Sequence, residues 1–240
     1  MGKNNEASCS LSECRQHGPP EIMAHLHPLI LRMSNKVPHC QTLHFQSSSP
    51  TTQYRGKEMF AYLVEVLPGL FPDIEFFTWN YTEAGHGKGP VDGIGCRPKA
   101  KADSVVAHGK DVDTFEKSVA CAKSLDNVII DVVLPEHIEE MRKKDVHSQR
   151  FNGTMSAHQL TWSRSSPLIL FFNRLSCFQC LPGSKCHHYH MGTLDFSVEE
   201  DQIPNPDDSP ITGNVMPVPA KRILKNDWVK ITLSGRPYPG

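Results

Sequence analysis

Three cysteines and three histidines fall within fourteen positions, in the run Cys177-Phe178-Gln179-Cys180-Leu181-Pro182-Gly183-Ser184-Lys185-Cys186-His187-His188-Tyr189-His190. A Cys-x2-Cys pair brings two thiolates to one ion, and a Pro-Gly turn folds the chain back so that a third thiolate and an imidazole complete a tetrahedron. The spacing predicts a structural zinc site on Cys177, Cys180, Cys186 and His190, with His188 as the alternative fourth ligand. Two other readings of these cysteines stay open. A secreted chain could use them as a disulfide framework, but residues 1–16 are polar and lack the apolar core of a secretory signal, so a reducing compartment is expected. Free buried thiols are the other reading, because cysteine packs as a small hydrophobe. Cys9, Cys14, Cys40, Cys96 and Cys121 are scattered and support no second site.

A second stretch with chemical content is Thr78 to Gly95, where the β-prone run Phe76-Phe77-Thr78-Trp79-Asn80-Tyr81 empties into a loop rich in glycine. Gly85, Gly87, Gly89, Gly93 and Gly95 surround His86, Lys88 and Asp92, a strand delivering charged side chains to a flexible rim. His86, Lys88 and Asp92 are therefore candidate binding-loop residues. A phosphate-cradling P-loop would need a Ser or Thr after Gly-Lys and a glycine further upstream. Here Gly87-Lys88 is followed by Gly89, so a nucleotide site of that kind is not expected.

Pro50-Thr51-Thr52-Gln53-Tyr54-Arg55, followed about two dozen residues later by TWNYTEAGHGKGPVDGIG, resembles an uncharacterised family of transposon-derived proteins found mainly in fish and invertebrates. The resemblance runs from about His17 to Gly240. It implies a DDE-transposase-like core of ribonuclease-H-like fold: an α/β domain with a mixed sheet flanked by helices. DDE chemistry uses carboxylates from separated segments to hold two divalent ions, one at the attacking oxygen and one at the leaving oxygen.

The chain departs from that pattern where the carboxylates should stand. The family carries Ser-Asp-Gly at the end of an apolar strand, whereas Leu43-His44-Phe45-Gln46-Ser47-Ser48-Ser49 places Ser48 at the aspartate position. Serine is neutral and a poor ligand for a hard cation. Residues 1–16 precede the matching part and offer only Glu6 and Glu13 in a polar context, so the first acidic segment is expected to be absent. Asp92, with Glu83 behind it, is the remaining carboxylate candidate; just after Pro90, it also suits the first turn of a helix. A degenerate site near Ser48, Asp92 and Glu83 is expected neither to hold magnesium nor to catalyse. Arg97, Lys99 and Lys101 belong to a helix expected to start near Pro98 and run to about Ala107; they suit a phosphate backbone or a solvated face.

The 25 Lys and Arg residues against 26 Asp and Glu in 240 positions give no global basic field, and no run of eighteen apolar residues suggests a membrane span. Nineteen prolines and a mean hydropathy of −0.39 point to a loop-rich chain.

The elements that must position these residues follow from periodicity. Pro19 to Arg32 reads as a helix interrupted by Pro28, and Tyr54 to Leu67 as an amphipathic helix with Met59, Phe60, Leu63, Val64 and Leu67 inward. It separates strands at Thr42–Gln46 and Ile74–Tyr81, which suggests a right-handed crossover in a mainly parallel sheet. Asp113–Leu125 and Pro135–Asp145 read as helices, Val128–Val133 as a buried strand, and Gln159–Trp162 with Leu168–Phe172 as a hairpin.

The expected organisation is a disordered segment at 1–16, a transposase-like α/β domain at 17–196 containing the knuckle at 177–190, a proline-rich linker at 197–222, and an incomplete β segment at 223–240 that must stay mobile or borrow a sheet edge. The expected function is that of a catalytically inactive scaffold binding nucleic acid or a protein. The alternatives are an active metal-dependent phosphodiester-cleaving or strand-transfer enzyme and a degenerate fragment without a selected function. An intracellular location is expected, with the nucleus as the compartment for a nucleic-acid partner.

Overall fold

The computed structural model describes residues 6–50, 53–82, 90–180, 184–198 and 229–233, with the backbone alone for 90–91 and 229–233. Alternation of side chains builds its main sheet, since successive residues of a strand face opposite ways. On β2 (Thr42–Ser47) Leu43 and Phe45 share a face with Phe77, Trp79 and Tyr81 of β3 (Phe76–Tyr81), their ladder partners or neighbours. Leu160 and Trp162 of β5 (Gln159–Ser163) and Leu170 and Phe172 of β6 (Ile169–Asn173) continue it, and all are buried. Phe45 stacks on Trp79 at 5.0 Å between centroids and Phe77 on Trp162 at 5.3 Å. Each such ring, moved out of water, supplies on the order of 2 kcal/mol.

Helices cover that apolar face. Helix α1 (Pro19–Lys36) contributes Met23, Leu26 and Ile30 to the core and runs unbroken through Pro28, although an interruption was expected there. Packing of this buried stripe outweighs the roughly 3 kcal/mol that an interior proline costs. The second helix is less regular than its pattern predicts. It comprises α2 (Lys57–Ala61), a π-helical turn (Tyr62–Val66) and α3 (Leu67–Leu70). Pro68 has no N–H to give to the preceding turn, and the wide turn lies just before it. The Tyr62 hydroxyl donates to the Met141 carbonyl at 2.8 Å, tying this helix to α6 (Pro135–Arg142).

The six strands run in the order β7-β6-β5-β3-β2-β8, with β7 spanning His190–Asp195 and β8 Val229–Leu233. The β8, β2 and β3 strands are parallel; β5, β6 and β7 add antiparallel partners. The sheet is thus mixed and open rather than mainly parallel. Residues 229–233 borrow the free edge of β2, one of the two outcomes open to an unpartnered strand. The parallel pairing of β2 with β3 across the intervening helix and the β5–β6 hairpin are as the patterns predict.

Three expectations need correction. The segment expected to be disordered contains β1 (Ser8–Leu11), which pairs in parallel with β4 (Ile129–Val132) in a separate two-stranded sheet. Arg32 of α1 fixes it, donating to Asp131 at 2.6 Å, Ser8 at 2.8 Å and Glu6 at 3.0 Å. For the same reason β4 is a half-buried strand of that small sheet, not a buried member of the main one. Helix α4 (Pro90–Ala107) begins at Pro90 and carries Pro98 in its interior, because Pro90 already supplies a favourable first helical residue. Helix α5 (Phe115–Lys123) follows, capped by the Thr114 side chain, which accepts the Lys117 N–H. The linker expected at 197–222 lies almost wholly outside the described residues, as does most of 223–240.

Candidate metal centre

The other face of the main sheet is polar, and it carries the knuckle. His44, Thr78, Asn80, Gln159, Thr161 and Asn173 alternate with the core residues and are themselves buried. Buried polar groups are mostly paired, and here His44, Thr78, Asn80, Gln159 and Asn173 form one chain of hydrogen bonds, with Asn173 Oδ1 alone among their side-chain atoms buried without a partner in the described residues. His44 Nδ1 lies 2.8 Å from Thr78 Oγ1; Asn80 Nδ2 donates to Thr78 Oγ1 at 2.8 Å and to the Phe45 carbonyl at 2.9 Å. Gln159 Nε2 donates to Asn80 Oδ1 at 3.0 Å, and Asn173 Nδ2 donates to Gln159 Oε1 at 2.9 Å. Burial holds the His44 imidazole down at about 4, so it is neutral near pH 7.

This network ends on the backbone that opens the cysteine cluster. Cys177 donates its N–H to Gln159 Oε1 at 3.0 Å and accepts from Gln159 Nε2 at 3.1 Å, while Ser176 Oγ donates to Asn80 Oδ1 at 2.9 Å. From this anchor the chain turns through Cys180 and returns at Cys186 to enter β7. Sγ of Cys180 lies 3.7 Å from Sγ of both Cys177 and Cys186; His188 Nδ1 lies 3.6 Å from Cys177 Sγ and 3.3 Å from Cys180 Sγ. All four ligand atoms fall within 4.8 Å of one another. A tetrahedral zinc with Zn–S near 2.3 Å has S···S edges of about 3.8 Å, whereas a disulfide would bring two sulfurs to about 2.05 Å. The cysteines are free, and the edges have metal-site length.

The fourth ligand in this geometry is His188, the alternative in the sequence reading, and not His190. His190 stands at the first position of β7, opposite Asn173 in the ladder, its ring 6.3 Å from that of Phe171. Local backbone decides between them: the Tyr189 N–H points back to Cys186 Sγ at 3.3 Å, and the turn holding it leaves His188 beside the sulfurs.

Electrostatics around the sulfurs are split. Burial raises the Cys177 thiol, but backbone amides of Gln179 and Cys180 and the neighbouring thiols outweigh it and bring the group below the ordinary thiol range. Burial pushes Cys186 up to about 11, with the backbone amides of Tyr189 and His188 opposing. A coordinated dication would displace that proton outright. Cys186 is buried, Cys177 and Cys180 half-buried and His188 exposed, a closed arrangement suited to a structural ion.

The other candidate residues that are described do not gather here. Ser48 follows β2, its hydroxyl buried without a hydrogen-bond partner among the described residues. Asp92 is half-buried in the first turn of α4. Glu83, His86 and Lys88 lie outside the described residues. Arg97 donates to the Asp126 carbonyl at 2.9 Å. Among the described residues, the one group of three or more ligand-type side chains close enough to share an ion is the Cys3His cluster.

The motif at 50–55 has a structural role that its sequence did not disclose. Arg55 is buried, lies 4.3 Å over the Tyr81 ring, and donates from Nη1 to the carbonyls of Thr154 and Ala157 at 2.7 and 2.6 Å. The Tyr81 hydroxyl donates to the Tyr54 carbonyl at 2.6 Å. The motif thereby fastens the loop before β5 to the end of β3.

No helix among the described residues is long and apolar enough to cross a membrane. Neither a curated protein nor a solved structure matches the chain. A family model described as "Domain of unknown function (DUF8701)" matches residues 2–169, ending inside β6 and before the cysteine cluster. That span covers well over half of the 240 residues, and the chain belongs to the DUF8701 family.

Proposed function

We propose that the chain is a catalytically inactive, transposase-derived scaffold with a ribonuclease-H-like sheet. It carries a structural zinc on Cys177, Cys180, Cys186 and His188 and acts by binding nucleic acid or a protein, not by cutting. The supporting observation is the cluster itself, with edges of 3.3–3.7 Å and an anchor in a buried amide network. The neutral Ser48 at the end of β2, where the transposase resemblance calls for an aspartate, argues against two-metal chemistry. An intracellular and nuclear location belongs to the same reading.

Elemental analysis of the purified chain tests it. Close to one zinc per chain, lost in Cys180→Ser, is the expected result. Folded protein without metal sinks the zinc assignment, and magnesium-dependent cleavage of DNA by the unmodified chain sinks the inactive-scaffold reading.

A further inference from the structure

Acidic residues are missing from one continuous part of the chain. Between Asp145 and Asp195 there is no Asp or Glu, while Arg150, Arg164, Arg174 and Lys185 fall within that interval. Before it, residues 1–145 hold sixteen Lys and Arg against nineteen Asp and Glu. The acid-free part comprises β5, β6, the cysteine cluster and nearly all of β7. Arg164 is paired with Glu75 at 3.3 Å ahead of β3, which leaves Arg174 and Lys185 as the exposed cations next to the cluster in the chain, and a partner there should be an anion.

The same surface carries exposed rings. Phe178 is 42 % and Tyr189 39 % exposed, and these two are the exposed aromatic side chains among the described residues; Leu175, 49 % exposed, stands beside them in sequence. Both residues are next to cluster ligands in the chain. Phe178 lies between Cys177 and Cys180 with its edge against the His44 ring at 5.3 Å, and Tyr189 follows His188, its N–H on Cys186 Sγ. Arg174 is joined to this pair, because its N–H donates to the Tyr189 carbonyl at 2.8 Å. Arg174 and Lys185 are exposed. A loaded Cys3His zinc keeps one net negative charge, three thiolates against a dication, which these two cations outnumber.

We propose that this face of the cluster is a binding surface for single-stranded nucleic acid, with bases stacking on Phe178 and Tyr189 and the phosphate backbone meeting Arg174 and Lys185. Aromatic faces pair with any base, and cations alongside follow the backbone, so recognition would tolerate sequence and weaken with salt. Paired bases would keep their faces buried in the stack, so a duplex would gain only the charge term. The inference rests on the zinc scaffold reading, because the ion would close the turn that carries both residues.

Fluorescence anisotropy of a labelled mixed-sequence oligonucleotide, single-stranded or duplex, titrated with the zinc-loaded full chain, tests this. Zinc content and circular dichroism are recorded on each variant. The expected result is tighter binding of the single strand, about tenfold weakening in Phe178→Ala and in Tyr189→Ala, and retention in Tyr189→Trp. Arg174→Gln and Lys185→Gln should each lower the slope of log affinity against log salt by about 0.7. Three outcomes overturn the proposal while leaving the zinc scaffold intact: no binding by zinc-loaded protein at about 0.1 mM, the weak end of non-specific association; equal affinity for duplex and heparin with no response to the aromatic variants; or a protein partner held on this face with no oligonucleotide bound. Absence of zinc from folded protein instead removes the underlying scaffold reading and the surface with it.

Discussion

The Gln159 side chain grips the backbone of Cys177 on both sides, accepting its N–H at 3.0 Å and donating to its carbonyl at 3.1 Å. A side-chain amide here does what a neighbouring strand would do, and it does so at the first residue of the Cys3His cluster. Gln159 itself is fully buried and held by Asn80 and Asn173. The sheet thus positions the cluster through one glutamine.

Replacing Gln159 by Leu should therefore cost stability and metal together. The amides of Asn80 and Asn173 and the Cys177 backbone would lose partners, a penalty of about 2–3 kcal/mol, and zinc should bind about tenfold more weakly as its first ligand loses its support. Chelator competition and urea unfolding measure the two effects. Unchanged zinc affinity would mean that the cluster forms independently of the sheet.

The choice of imidazole is directly testable. His188→Ala should release the metal or bind it at least tenfold more weakly, whereas His190→Ala should keep it, since His190 begins β7 outside the sulfur group. Cobalt substitution gives the readout through the visible absorption of tetrahedral thiolate sites. The reverse pattern would return the fourth position to His190.

Acid should act through His44. Its folded pKa, about 4, lies below the ordinary value of 6.5, so the unfolded chain takes up the proton first. The stability this group contributes is complete above about pH 6.5 and is lost as pH falls toward 4, by about 3 kcal/mol in total. The difference in unfolding free energy between the parent and His44→Phe isolates this from acid release of the metal, which both share. A difference flat from pH 7 to 4 would contradict a buried neutral imidazole.

Arg55→Met should lower stability by about 2–4 kcal/mol, because the carbonyls of Thr154 and Ala157 lose a charged donor and the loop before β5 loses its tie to Tyr81. Arg55→Lys, with a point charge in place of a planar fork, should recover only part of it. Denaturant midpoints followed by tryptophan fluorescence decide this, and a neutral Arg55→Met would reduce the motif to a surface loop.

Much of the sheet was legible because its strands alternate strictly. Leu43-His44-Phe45-Gln46 and Gln159-Leu160-Thr161-Trp162 each announce one apolar and one polar face, and the cysteine spacing announces the cluster. Hidden from the sequence was whatever depends on distant partners. Ser8–Leu11 is short and polar, and becomes a strand only because β4 and Arg32 meet it. His190–Asp195 has a weak pattern, and its pairing with β6 comes from the return of the knuckle. The fourth ligand turned on the direction of one amide, that of Tyr189, which spacing cannot convey.

The wide turn at Tyr62–Val66 sets a rule for which lengths of this helix the molecule can tolerate. A π turn holds one residue more than the α turn it replaces, so a chain shortened by one residue there could close into a regular helix. The wide turn takes up its extra residue by winding less per residue, so the two halves of the shortened, regular helix would keep their relative orientation. Met59 and Phe60 before the turn and Leu67 after it, all now buried, would keep their seats. Relatives with a regular α-helix at this place are expected either to lack one residue there with the apolar stripe unshifted, or to keep the length and carry the later part of the stripe rotated by about 100°, a signature that comparison of their sequences can reveal without any further structure.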